Sequence, residues 1–487
     1  MKDDVVPELI LKELVRANST MLGPFQLLLE DAAEKPLYCN QIIRIVPGKR
    51  LVALGTWDGR EVVAKLFYQR GKAKRHLERD TLGVDALLQA NVPTPRILYK
   101  GSALNRRIQV ILFEKIEEAE NVEAIWQKQK NSVKFAKLMK KVTIELATQH
   151  VLGILQRDLH LKNFLATAKQ IYTLDGGGIE KFPDILDKKQ SMDNLALFFA
   201  QLGVGTELLQ RSLFKIYAKS RGWIVKKTDF EFIKSLVINK NTTRWLRYKK
   251  KIMRTCSRFV RTNRWNQLSI HDREYQSDAL LNFLHDPEKF FNQPGISFLK
   301  SGRSATVAKI MLGGRTLVVK RYNMKSIWHW LRRCLRATRA ETSWHLSQRL
   351  GLFGISTAKP VAYIEKRFLG LRGRSYFIME HVAGQTIGEF FSGHNTEEAP
   401  TVDMAKKIAH LFHSLGELKI THGDLKMSNI LLADDQPLLI DLDGMREHFT
   451  TFGFKLAFKQ DIKRFMQNWS ASSKVLALFD TLLSGSR

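Results

Sequence analysis

Residues 157–163 read Arg-Asp-Leu-His-Leu-Lys-Asn, and residues 423–429 read Gly-Asp-Leu-Lys-Met-Ser-Asn. In both, an Asp-Leu pair is followed by an Asn five residues after the Asp: Asp158 to Asn163, and Asp424 to Asn429. Twelve residues after each Asn stands another Asp behind a mostly apolar run, Asp175 in Tyr-Thr-Leu-Asp-Gly and Asp441 in Leu-Leu-Ile-Asp-Leu-Asp-Gly. All three positions recur at an offset of 266.

Working outward, the pairing continues upstream. Val62-Val63-Ala64-Lys65 and Leu317-Val318-Val319-Lys320 are strand-like runs ending in lysine, each behind a Gly-Arg turn (Gly59-Arg60, Gly314-Arg315). A basic helical stretch containing Glu78 or Glu341 follows each lysine. Fourteen residues on stand Val92 and Ile355 in extended segments, and then strands ending in acid, Val110 to Glu114 and Tyr376 to Glu380. Matched features in one order read as a tandem duplication. The expected fold class is α+β: two tandem bilobed domains, 1–285 with a basic helical tail and 286–487 with a shorter second lobe.

These residue types together suit the transfer of a phosphoryl group from a nucleotide to a hydroxyl. A strand lysine neutralises phosphate oxygens and a helix glutamate orients it. A loop Asp takes the hydroxyl proton, and an Asn and a later Asp bind Mg²⁺. At this point the sequence resembles the protein-kinase-like superfamily. His422-Gly423-Asp424-Leu425-Lys426 is nearest its small-molecule and sugar kinases. More narrowly, Lys300 to Val307 and the run through Lys320-Arg321-Tyr322 are similar to the bacterial lipopolysaccharide core kinase family, which phosphorylates heptose or Kdo residues.

The resemblance implies ATP and Mg²⁺ as cofactors and a role for each matched residue. In the second copy Lys320 meets ATP phosphates with Glu341 as its ion-pair partner, Asp424 is the catalytic base and Lys426 stabilises the transferring group. Asn429 and Asp441 are the Mg²⁺ ligands; Asp443 competes for that role, and Asp441 is favoured because its spacing matches Asp175. The first copy supplies Lys65, Glu78, Asp158, Asn163 and Asp175 in the same roles, with His160 where the second has Lys426. Neither copy has a full Gly-x-Gly-x-x-Gly loop; Gly55 and Gly302 read as turn glycines. Asp193 and Asp461 are candidates to brace the catalytic loop from the following helix, or to cap that helix.

Composition bounds the partners. Hydrophobic residues are 44% and charged residues 26%, a globular balance that excludes collagen-like and wholly disordered chains. Lys+Arg number 78 against 48 Asp+Glu, a net charge of +30 that favours polyanionic partners. Asn241 to Trp265 holds nine cations and no acid, interleaved with Trp245, Tyr248, Ile252 and Phe259. Lys320 to Ala340 adds Lys325, Arg332, Arg333, Arg336 and Arg339 beside Trp328, Trp330 and Leu331. Such segments suit an anionic membrane surface, and no nucleic-acid-binding pattern is present.

The start, Met1-Lys2-Asp3-Asp4, lacks the shape of a secretory signal, and no window is apolar enough to span a bilayer. Three scattered cysteines, Cys39, Cys256 and Cys334, indicate neither a disulfide framework nor a zinc site. The expected protein is a cytoplasmic kinase, peripheral to the inner membrane, acting on a heptose or Kdo hydroxyl of lipid A–core. Peptide substrates are disfavoured because no Ala-Pro-Glu follows either Asp175 or Asp441. The alternatives are a protein Ser/Thr or aminoglycoside-type small-molecule kinase, and a pseudokinase scaffold with one or both modules inactive.

Overall fold

The computed structural model describes residues 11–16, 23–129, 132–291, 296–324, 326–394, 397–470 and 473–483. The readings of Met1 to Asp4 and of Lys325 lie outside the described residues. The fold is mixed, with helices and largely antiparallel sheets in each of two compact units. Unit 1 runs to Gln201 and takes Glu207–Asn241 as well. Unit 2 takes Leu202–Thr206 and the chain from Thr242 onward.

In unit 1 a six-stranded antiparallel sheet has the spatial order Phe25–Leu27, Leu37–Val46, Arg50–Trp57, Arg60–Phe67, Ile108–Glu114, Ile97–Ala103. Side chains alternate as a pleated strand requires: Leu51, Ala53, Val62, Ala64, Leu66, Val110 and Leu112 are wholly buried on one face. Helix Ala73–Gln89 follows the lysine strand and buries Leu77, Asp80, Val84 and Leu87, a stripe at helical spacing. Below the sheet, strand Phe164–Ala166 lies between Glu120–Asn121 and Ile171–Thr173, and Ile154–Gln156 pairs with Ile179–Lys181.

Unit 2 repeats these pairings. Its seven-stranded sheet contains the order Ala305–Leu312, Arg315–Tyr322, Leu371–Glu380, Pro360–Phe368, with helix Arg339–Leu352 after the lysine strand. Strand Ile430–Ala433 lies between Gln385–Thr386 and Gln436–Leu439, and Ile420–Thr421 pairs with Arg446–Glu447.

The expected boundary near residue 285 moves upstream. Strands Phe259–Arg264 and Gln267–Asp272 extend the second sheet, with Gln267 opposite Lys366 and His271 opposite Ala362. Leu280, Phe283, Leu284 and Phe291 pack beneath that sheet with Ala308, Val319 and Ile378. The tail assigned to the first domain therefore supplies part of the second domain's core. The basic run read as a membrane surface is changed by the same packing. Trp245, Ile252 and Phe259 are buried with Trp344 and Tyr363, while Leu246 and Trp265 stay exposed among the cations. Here an amphipathic stripe marks a core face.

Within unit 1, helix Val133–Val151 buries His150 near its C-terminus. His150 Nε2 donates to Asn194 Oδ1 at 3.0 Å, and Nδ1 accepts from the Tyr217 hydroxyl at 2.6 Å. That hydroxyl in turn accepts from the Arg221 guanidinium at 3.0 Å. Burial, first, together with the Arg221 charge, pushes the imidazole down to about 4. The unfolded chain then takes up the proton first, so stability falls as pH drops from the ordinary histidine value near 6.5 towards 4. The loss is expected to reach about 3 kcal/mol at most. Urea midpoints across that window measure it, and His150→Gln should flatten the profile.

Candidate active site

Backbone pairing brings the sequence-matched residues together within each unit. In unit 2, Lys320 lies opposite Phe377 and Val307 near the end of its strand, and its side chain is only 11% exposed. Asn429 precedes one strand of the short hairpin and Asp441 follows the other. The Ile440 N–H donates to the Asn429 carbonyl at 3.0 Å and closes the pair. Asn429 Nδ2 donates to the Asp424 carbonyl at 2.8 Å. That bond uses the amide N–H and leaves the amide oxygen as an acceptor. Asp441 adopts φ 59°, a left-handed conformation, as Asp175 does at 66° in unit 1.

Lys320 Nζ pairs with Asp441 and, at 3.2 Å, with Asp443 Oδ1. The second oxygen of Asp443 meets Arg339. Burial opposes ionisation of both acids. For Asp441 the hydrogen bond with Asp443 and the Lys320 charge outweigh burial and hold it well below the usual carboxylate range. For Asp443 burial, reinforced by Asp441, pushes the carboxyl up to about 6. One carboxylate of the pair stays anionic while its neighbour retains protons more readily. Lys320 and Asp441 line a small cleft with Tyr322, Ser343, Phe377 and Met379.

The expected Lys320–Glu341 pair is not formed. Glu341 instead meets Arg372, and its backbone N–H is capped by Thr338 Oγ1 at 3.2 Å. It sits in the helix's first turn, where an acid complements the helix dipole. Unit 1 also corrects the partner: Lys65 Nζ contacts Asp80 Oδ2 at 2.5 Å and Asp175 Oδ1 at 3.0 Å, while Glu78 is exposed. Asp80 also accepts the Gly177 N–H at 2.5 Å. The readable signal was an acid within the buried stripe, Leu77-Asp80-Val84-Leu87; Glu78 lies off it.

The offsets carrying Glu78 onto Glu341 and Asp175 onto Asp441 also carry Asp80 onto Ser343 and Gly177 onto Asp443. The second acid therefore comes from the helix in unit 1 and from the loop in unit 2. A Cβ on Gly177 would stand 2.7 Å from Asp80 Oδ1, which leaves little room for both acids in one unit.

The loop acids are more open. Asp424 is 44% exposed, 3.0 Å from Lys426 Nζ and 3.7 Å from Arg464 Nη1. Asp158 Oδ1 is 3.4 Å from His160 Nε2. Asn163 Nδ2 repeats the loop bond, donating to the Asp158 carbonyl at 2.7 Å. Asp461 braces the unit 2 loop by accepting the N–H groups of His422 at 2.6 Å and Gly423 at 2.9 Å. Gly423 has φ 78°, and a Cβ there would meet the Gly444 carbonyl at 2.6 Å, so this position requires glycine.

Asp193 does not play the bracing part in unit 1; it pairs with Lys240 at 2.7 Å. The next residue does: Asn194 Nδ2 donates to the Gln156 carbonyl at 2.8 Å. Gly55 lies inside strand Arg50–Trp57 against the Tyr38 carbonyl rather than at a turn, whereas Gly302 borders the Ser297–Ser301/Ala305–Leu312 turn. The three cysteines are free, and no helix among the described residues is long and apolar enough to cross a membrane.

Comparison with known proteins adds a family. Residues 300–473 match the lipopolysaccharide kinase (Kdo/WaaP) family, a stretch within unit 2. Members of such a family are phosphotransferases with an alcohol acceptor, and kinases of this kind use ATP, typically with a divalent metal. The crystal structure of a mutant kinase domain of PknI from Mycobacterium tuberculosis is similar at 15% identity, covering 34% of this chain and 72% of that one, with a TM-score of 0.26. No curated protein gives a sequence match.

Proposed function

We propose that this protein is an ATP-dependent kinase that phosphorylates a heptose or Kdo hydroxyl of lipid A–core at the cytoplasmic face of the inner membrane. The observation that carries the reading is the convergence of Lys320, Asp424, Asn429 and Asp441 inside the stretch that matches the lipopolysaccharide kinase family. Asp424 takes the proton of the acceptor hydroxyl as its oxygen attacks the γ-phosphorus, and Lys426 neutralises charge on the moving group. Lys320, held by Asp441 and Asp443, meets the nucleotide phosphates. The Asn429 amide oxygen and the Asp441 carboxylate are hard oxygen donors that suit Mg²⁺. When bound, the metal supplies charge neutralisation on the phosphates.

Unit 1 carries the same set in Lys65, Asp158, His160, Asn163 and Asp175, and its strand order supports a tandem duplication of kinase-like domains. The membrane surface is supported by Ile327, Trp328, Leu331 and Leu335, all exposed beside Arg332, Arg333 and Arg336. Incubation of the purified full chain with labelled ATP and lipid A–core should move label into the glycolipid. Mass spectrometry of the product should locate it on a core sugar. Transfer to a protein acceptor with none to glycolipid would overturn the proposal and favour the protein-kinase alternative.

A further inference from the structure

We infer that the outward face of helix Thr451–Met466 is the surface on which an anionic lipid bilayer docks, presenting a bilayer-held acceptor to Asp424; this rests on the glycolipid kinase reading above. The helix has two distinct sides. Phe458, Asp461, Ile462 and Phe465 are buried, in a stripe that fixes the helix to unit 2. On the other side Phe452, Lys455, Leu456, Lys459 and Lys463 are exposed, at spacings that place them on one outward face, and Arg464 is exposed on the flank between that face and buried Asp461.

The apolar members lie towards the helix start. Phe452 is 76% exposed and Leu456 54%, and Phe449, just before the helix, is 94% exposed. Three large side chains left in water close together in sequence are unusual for a free surface and suit insertion at an interface. The cations run onward to Arg464, whose guanidinium is 3.7 Å from Asp424 and also bonds the Gly423 carbonyl.

Charge selects the occupant. From His448 to Met466 the only acid is Asp461, which is buried and engaged by backbone N–H groups. The face carries Lys455, Lys459 and Lys463 with no acid of the helix beside them, while Arg464 on its flank pairs with Asp424; the apolar residues stand at one end and that proton-accepting carboxylate at the other. Basic and aromatic residues on one helix face match a bilayer whose phosphates lie just outside its acyl chains. The exposed Trp328 segment has similar composition, but among the described residues no contact ties it to Asp424. The face on helix Thr451–Met466 ends at that residue.

Co-sedimentation of the full chain with phosphatidylglycerol/phosphatidylcholine vesicles, against phosphatidylcholine alone, reads this surface without any turnover. Binding should require the anionic lipid and weaken with salt. Lys455→Glu/Lys459→Glu should lower the partition coefficient by about 10-fold or more. Phe449→Ser/Phe452→Ser should lower it comparably, and circular dichroism should show each variant folded. Both should slow phosphorylation of vesicle-embedded lipid A–core while leaving activity on detergent-dispersed acceptor unchanged. Equal binding to neutral vesicles, binding unaffected by either pair, or concentration-dependent self-association with no vesicle binding would each overturn the docking surface. Loss of transfer in detergent by the unaltered protein would overturn the kinase reading instead, so the two failures are separate.

Discussion

Asp424→Ala should lower phosphoryl transfer to lipid A–core by about 10³-fold, the range expected when a general base is removed. The substitution is mild for the fold because the Asp424 side chain is half-exposed and its ion-pair contacts among the described residues are Lys426 and Arg464. The bond that orders the loop is made by its backbone carbonyl, which accepts from Asn429 Nδ2 at 2.8 Å, and alanine keeps that carbonyl. Nucleotide affinity should therefore stay within a few-fold while kcat collapses. Asp158→Ala, in the unit outside the family match, should leave most of the glycolipid transfer intact. Assays of both variants with labelled ATP, alongside nucleotide titration, give the comparison. An Asp424→Ala enzyme within tenfold of the unaltered protein would remove Asp424 from the chemistry, and a comparable loss in Asp158→Ala would place the reaction in unit 1.

The residues legible in the sequence were those whose position is set by local chain geometry. Asp158 to Asn163 and Asp424 to Asn429 are each one tight loop, closed by an Asn side chain on the Asp carbonyl. Asn163 to Asp175 and Asn429 to Asp441 are each one hairpin, so spacing alone brings those residues together. The lysine partners were harder because they depend on which face a helix turns inward. Glu78 and Glu341 align in sequence, yet the helix in unit 1 turns Asp80 to Lys65, and the helix in unit 2 turns Ser343 inward. The domain boundary failed for a related reason. Gln267 to Asp272 pairs with a strand almost a hundred residues later, and no local pattern encodes such a partner. The basic run before it looked like a membrane face because periodicity shows that a stripe is apolar, but not what covers it.

The relocation of the second acid predicts a rescue. Asp443→Ala should lower kcat/KM for ATP by about 10²-fold, the scale of loss when a reacting group is held slightly out of place. In unit 2 Asp443 ties Lys320 to Arg339; without it Lys320 is left against Asp441 alone and Arg339 loses its carboxylate. If Lys320 has the phosphate-binding role proposed for it, the loss should fall on KM for ATP, while KM for the glycolipid should hardly move. Unit 1 shows that the same lysine can be held from the helix when the loop position is glycine, through Asp80 and Gly177. Ser343 lines the cleft beside Lys320, with its hydroxyl 3.1 Å from that of Tyr322, so a carboxylate placed there lies close to the lysine. The double substitution Ser343→Asp/Asp443→Gly should therefore recover activity to within about tenfold of the unaltered enzyme, whereas Asp443→Gly alone should not. A general loss of packing would not be reversed by adding a second charge to the buried face of a helix. Recovery specific to the pair identifies Asp443 as the positioning residue for Lys320. Equal activity in Asp443→Gly and in the double variant would show that the helix acid of unit 1 and the loop acid of unit 2 do not do the same work.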